Sequence, residues 1–216
     1  AAIDAANSDG TPIASLADLQ GVAATATGGA AAALTTISAY AQNNGGTAPV
    51  AADYTAAGVT GIGGAGQPTV AQINAALADA DVIGTAADST AEVQGIVDAY
   101  QAILANADGT ANNATSPSAA DYTKLGVTGI DTAAELGLLG DVIDGKTAAD
   151  VATPAQIQAL ADAAAATVAY DGTNTAPTQA QLEALGVTGL TADNLAAVLA
   201  AIDAANSDGT PIASLA

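Results

Sequence analysis

Apolar residues recur along this chain at intervals of three and four, in short runs separated by Gly, Pro, Asn and Asp, a pattern that predicts helices throughout. One recurring run carries an apolar pair on one helix face: Tyr54 with Ala57, Tyr122 with Leu125, and Leu182 with Leu185. Each pair ends in the same element, at Gly58-Val59-Thr60-Gly61, Gly126-Val127-Thr128-Gly129 and Gly186-Val187-Thr188-Gly189. The first glycine fits the left-handed position after a helix, and the following valine can fold back onto the last turn. Pro49, Pro117 and Pro177 stand just before these runs, where a missing N–H does least harm. We call this helix A.

Helix B follows the turn and opens with a hydroxyl residue three positions ahead of a side chain that can reach back: Thr69 with Gln72, Thr132 with Glu135, and Thr191 with Asn194. Ile73 and Leu77, then Leu136, Leu139 and Ile143, then Leu195, Val198 and Ile202 supply the apolar stripes. Helix C opens with a fuller signature, Ser15-Leu16-Ala17-Asp18-Leu19-Gln20, Ser89-Thr90-Ala91-Glu92-Val93-Gln94 and Thr153-Pro154-Ala155-Gln156-Ile157-Gln158. Ser15, Ser89 and Thr153 are N-caps in this reading. Tyr40, Tyr100 and Tyr170 mark the ends of the three C helices, and Gly28-Gly29 predicts a break or kink in the first.

Residues 1–17 recur without one change as residues 200–216, which marks the chain as a period of a tandem array. The expected class is all-α, as tandem three-helix bundles arranged in an elongated repeat array. The expected divisions are a split bundle over residues 1–44, complete modules over 49–107 and 117–171, and a second split bundle over 177–216. Linkers rich in Gly, Asn and Thr separate them. Helices of roughly ten to seventeen residues would each be roughly 15–25 Å long.

Composition narrows the function. The sequence has no Cys, His, Met, Trp or Phe, so thiolate chemistry, His general bases and the usual zinc ligands are absent. Cores must be built from Ala, Leu, Ile, Val and five Tyr. A net charge of −20, with only Lys124 and Lys146 as cations, argues against nucleic acid or anionic membrane as partners. No continuous apolar run has the length of a membrane span, so membrane insertion is not expected, and no signal peptide is recognisable.

Four patterns suggest sharper chemistry. Asp9-Gly10-Thr11, Asp108-Gly109-Thr110 and Asp171-Gly172-Thr173 could begin calcium loops, but the about six to eight oxygen ligands that calcium takes are not at hand and Asp-Gly is good turn chemistry. Asp79, Asp81 and Asp88 could be an acid/base set, against the blander reading of a solvated acidic face. The three C-helix tyrosines could line a seam between modules, or simply pack within them. Gly61-Ile62-Gly63-Gly64-Ala65-Gly66 has the glycines of a phosphate loop without its Lys or its preceding strand. No catalytic, cofactor-binding or metal-ligating residue is assigned, and an enzyme is not expected.

An A helix ending in Leu-Gly-Val-Thr, an apolar B helix, and a Ser/Thr-x-x-Glu-Val opening to C resemble the three-helix GA module of Gram-positive surface proteins. The same outline resembles the alanine-rich helical repeats of giant bacterial surface adhesins. The first resemblance implies albumin binding through bulky side chains on helix B, but here helix B offers Ala75, Ala76 and Ala78, or Gly137 and Gly140. The second implies a stalk that extends a distal binding domain from the bacterial surface, a role in cell adhesion and biofilm formation that needs no such patch. That extender is the expected function, with neighbouring repeats as partners and head-to-tail contacts between copies. The alternative is a repeated ligand-binding module that grips a host protein or glycan by avidity.

Overall fold

The computed structural model describes residues 2–8, 13–110, 116–208 and 211–214. Within them the protein is all-α. The helices are α1 (Ala2–Ser8), α2 (Leu16–Gln42), α3 (Ala51–Ala56), α4 (Val70–Leu77), α5 (Thr90–Asn106), α6 (Ala119–Lys124), α7 (Ala133–Asp144), α8 (Pro154–Ala169), α9 (Gln179–Ala184) and α10 (Leu195–Ser207), with a 3-10 turn at Gly84–Ala86. An isolated bridge between Asp108 and Thr147 is the β-type pairing among the described residues.

The A helices α3, α6 and α9 have six residues each, shorter than the pattern suggested. Their ends explain the brevity. Gly58, Gly126 and Gly186 have φ of 80°, 80° and 99°. Behind each glycine the valine N–H donates to the carbonyl five residues back: Val59 to Tyr54 (2.9 Å), Val127 to Tyr122 (3.0 Å) and Val187 to Leu182 (3.0 Å). This is the Schellman arrangement, and it closes the helix where the glycine stands. At the other end Ser118 exchanges hydrogen bonds with Asp121, and Thr178 with Gln181. Val50 has no acceptor to offer, so only the returning half survives, from its N–H to the Asp53 carboxylate at 2.8 Å.

The B and C helices start on the expected caps. Thr69 and Thr132 accept from the N–H groups of Gln72 and Glu135, and Ser15, Ser89 and Thr153 accept from those of Asp18, Glu92 and Gln156. Thr191 and Asn194 form the same reciprocal pair, but α10 begins one residue after it.

Two expectations about α2 are corrected. It runs for 27 residues straight through Gly28 and Gly29 without a break. Each glycine costs a helix about 1 kcal/mol relative to Ala, and an alanine-rich helix of this length absorbs that cost because propagation is cooperative. By length and composition α2 is also long and apolar enough to cross a bilayer, a consequence of accumulated alanine that no single apolar run displays. Its carboxyl half instead buries Ala33, Ile37 and Ala41 inside the protein.

Packing follows the order of the chain. Each short A helix lies on the long helix before it: α3 on α2, α6 on α5, α9 on α8. Helices α4, α7 and α10 pack on those same long helices, and α4 and α7 also pack on the long helix that follows. One hydrophobic cluster results, running from Ala33 in α2 to Leu185 at the end of α9. Tyr54, Tyr100 and Tyr122 are its largest members, joined by Ile37, Ile73, Leu77, Ile96, Ile103, Leu125, Leu138, Leu139 and Ile143.

Candidate functional site

The most regular polar feature of the molecule is a clamp between the turn after helix A and the following C helix. In α5 the Gln94 amide accepts from the Thr60 N–H at 2.9 Å and donates to the Thr60 carbonyl at 3.1 Å. In α8 the Gln158 amide does the same to Thr128, at the same two distances. A side-chain amide thus pairs with both backbone groups of one residue, as a neighbouring strand would, in a turn that has no ladder of its own. Asp98 and Asp162, one turn further on, receive the remaining amide hydrogen at 2.9 and 2.6 Å and orient the glutamine. Thr90 adds a hydroxyl bond to the Ala57 carbonyl at 2.7 Å, closing the end of α3.

Further polar ties join elements distant in the chain, several at helix ends, where unsatisfied carbonyls collect. Lys146 Nζ donates to the last carbonyl of α9, at Ala184, at 2.6 Å. The Asn206 amide donates to Thr167 and Tyr170 at the end of α8, at 2.8 and 2.9 Å. Asn106 donates to Gly140 at 3.0 Å, and the buried Tyr100 hydroxyl to the Val151 carbonyl at 3.0 Å. Of the three C-helix tyrosines, then, Tyr100 is buried and reaches the turn before α8, while Tyr40 and Tyr170 remain half-exposed. The sequence signature of helix C contains the glutamines, but none of these pairings was read from it. The signal was present, since Gln20, Gln94 and Gln158 occupy one place in the C signature and Thr60, Thr128 and Thr188 one place in the turn, but nothing local relates the two sets.

The helix A tyrosines have unequal surroundings. The Tyr54 hydroxyl donates to the Asn74 side chain, whose amide donates in turn to the Pro49 carbonyl at 2.9 Å. The Tyr122 hydroxyl, equally buried, has no hydrogen-bond partner among the described residues. Gly137 occupies the helix position that Asn74 holds in α4, and a side chain there would collide with the Ala213 carbonyl, 2.8 Å from an ideal Cβ. Burial pushes the phenol pKa up at Tyr54, Tyr100 and Tyr122 alike.

The sharper chemical candidates resolve into turns and caps. Asp108 accepts from the Thr110 N–H at 2.8 Å, and Asp171 accepts from Thr173 and Asn174 at 3.0 and 3.1 Å. The Thr173 and Asn174 amides, with the Thr173 hydroxyl, hold Asp171 below the usual carboxylate range. Asp9 to Thr11 lie outside the described residues. Asp79 closes its own turn by accepting from the Asp81 N–H at 3.0 Å. Asp88 donates its N–H to Glu92; separately, hydrogen bonding between the Asp88 side-chain carboxyl and that of Glu92 raises the Asp88 pKa, while the Ser89 hydroxyl lowers that of Glu92. All of these groups are exposed except the half-buried Asp79. Among the described residues no three acidic side chains are grouped to hold a metal ion. The glycine loop folds on itself: Gly63 N–H donates to Pro68, Gly64 N–H to the Gln67 side chain, and the Gly66 carbonyl accepts from Gln101.

An open groove of about 540 Å³ lies between α5 and α6, with Val82, Gly95, Ile96, Asp81, Glu92 and Lys124 on its walls. Its cation does not repeat: Ala56 and Ala184 hold the place of Lys124 in the other A helices.

No family model, curated protein or solved structure matches this chain.

Proposed function

We propose that this chain is one period of an array of three-helix units, the extender of a long bacterial surface adhesin that projects a distal binding domain from the cell. The observation that carries the reading is the order of packing. Each A helix settles on the C helix before it, the B helices α4 and α7 pack on the C helices before and after them, and α10 packs on α8. Such packing lets a chain grow by adding units at its end, each stabilised by its neighbours, as in solenoid proteins. The divisions at residues 49–107 and 117–171 then describe sequence units whose cores are shared across their borders.

The surface suits the role. Twenty-two acidic residues against two lysines keep adjacent fibres apart. Extended length, secretion to the cell surface and the absence of a catalytic role all belong to this proposal. The ligand-binding alternative has one foothold in the groove beside Lys124, but a module that works by avidity would present its site in every unit, and the lysine of this groove is replaced by Ala56 and Ala184 in the other A helices.

Small-angle scattering on chains of one, two and three periods tests the reading. An extender gives a maximum dimension that rises in proportion to copy number. A dimension that grows only as the cube root of mass, as for a compact globule, overturns it.

A further inference from the structure

Two surfaces of this molecule are incomplete in complementary ways, and the repeated segment provides an internal control. Ile3 and Ile202 are the same residue in the same surrounding sequence, yet Ile3 is 53% exposed and Ile202 only 6%. The difference is the helix beneath: α10 lies on α8, whereas no long helix precedes α1 among the described residues. The first half of α2 tells the same story. Leu19 is 39% exposed, while the equivalent Val93 and Ile157 are fully buried. Leu16 is 70% exposed, and Gln20 is exposed where Gln94 and Gln158 are half-buried in their clamps.

The α9–α10 pair lacks the matching surface. Val187 is half-exposed where Val59 and Val127 are buried, and Val198 is half-exposed where Ala76 and Leu139 are fully buried. No glutamine reaches Thr188 among the described residues. In the complete units, the helix that covers these positions is a C helix, docked by its glutamine onto the threonine of the turn.

We infer that the third helix of the α9–α10 pair is the first half of α2 from a second copy of this chain, with Gln20 of that copy clamped on Thr188. The occupant is specified by the molecule itself. Residues 200–216 already end in the Ser15 cap region of the next copy, and Leu16, Leu19 and Gln20 are the C-helix residues left uncovered. Identity of the two segments has a further consequence. Helix α1, which packs on α2, is the same sequence as the end of α10, so in the joined form one segment serves both copies. In a single chain, α1 holds the place on α2 that the end of α10 takes in the array. Separate chains must therefore exchange α1 to associate, whereas covalently consecutive copies need no exchange.

This inference rests on the array reading, and a two-copy chain that shares the repeated segment (residues 1–199 followed by 1–216) tests each separately. Leu19→Asp in the second copy is expected to lower hydrogen-exchange protection of the first copy's α10 by about tenfold or more, the effect of exposing a buried leucine. The same substitution in the single chain is expected to leave α10 protection unchanged, because Leu19 there faces solvent. A paired Thr188→Cys in the first copy and Gln20→Cys in the second should be joined within one molecule by a short bifunctional thiol cross-linker, since the glutamine side chain holds the two backbones beyond direct disulfide reach, while Val50→Cys with the same Thr188→Cys should not. If second-copy Leu19→Asp is as silent as in the single chain, or the Thr188–Gln20 pair does not cross-link, the seam is wrong. The extender would still stand if the two-copy chain scatters as an elongated particle, and a compact particle would remove it whatever the seam does.

Discussion

At helix A, one residue position shows how a repeat drifts while its backbone stays fixed. Tyr54 meets Asn74, Tyr122 has no partner for its hydroxyl among the described residues and Gly137 at the position equivalent to Asn74, and Leu182 carries no hydroxyl at all. A buried phenol without a partner bears the full desolvation cost of its hydroxyl, whereas a paired one offsets it with a hydrogen bond. Tyr122→Phe is therefore expected to be neutral or to stabilise by up to about 1 kcal/mol, and Tyr54→Phe to destabilise by about 1 kcal/mol. Chemical denaturation of the two variants checks the sign difference; equal effects would show that the two sites are alike. Caps give a second residue-scale prediction. The Ser89 hydroxyl holds the Glu92 carboxyl below the usual range, so its stabilisation is complete above the ordinary carboxylate pKa and is lost as pH falls through the lowered value. Gln does the same work at Gln72, Gln156 and Gln181 without titrating. Glu92→Gln should flatten the acid-induced loss of amide protection at the start of α5, read by hydrogen exchange across that pH range. An unchanged acid dependence would mean the cap carboxylate is not its source.

Among the elements, glycine has opposite meanings in turns and in α2. Gly126 sits at φ 80° with Asp79 pressed against the place of its missing Cβ, whereas Gly186 at φ 99° has open space around it. Gly186→Ala is expected to cost about 1–2 kcal/mol from the left-handed backbone alone, and Gly126→Ala more, since Asp79 must also move. Gly29→Ala faces no obstruction inside a continuous helix and should stabilise by about 0.5–1 kcal/mol. Thermal melts should place Gly126→Ala lowest, Gly186→Ala next, and Gly29→Ala above the parent chain. The caps, the turn glycines and the helix positions were legible because they depend on residues within five of one another. The length of the A helices and the continuity of α2 were not, because cooperative propagation and the docking of a helix on its neighbour outweigh local propensity.

For the molecule as a whole, charge is the dominant long-range term. Two lysines cannot balance 22 acidic residues, and Lys146 is already engaged with the end of α9. Self-repulsion should make stability salt-dependent: the melting midpoint is expected to rise between low ionic strength and about 0.15 M, where screening acts over about 8 Å. A midpoint independent of salt would show that the acidic groups are too widely spaced to repel. Among the described residues the buried side chains from α2 to α9 form one continuous alanine-rich cluster.

By itself the sequence determined that the chain is helical, where the caps and turn glycines of most helices stand, that cysteine and histidine are absent, and that its two ends are one segment repeated. Those properties follow from hydrogen bonds to near neighbours, from the left-handed freedom of glycine and from composition. Only the tertiary structure decided which helices share a core, that Gln94 and Gln158 bind Thr60 and Thr128 from far along the chain, and that Tyr122 is left without a partner. It alone also separated Ile3 from Ile202. Burial is a property of what lies opposite a side chain, and identical sequence can face solvent in one place and a helix in another.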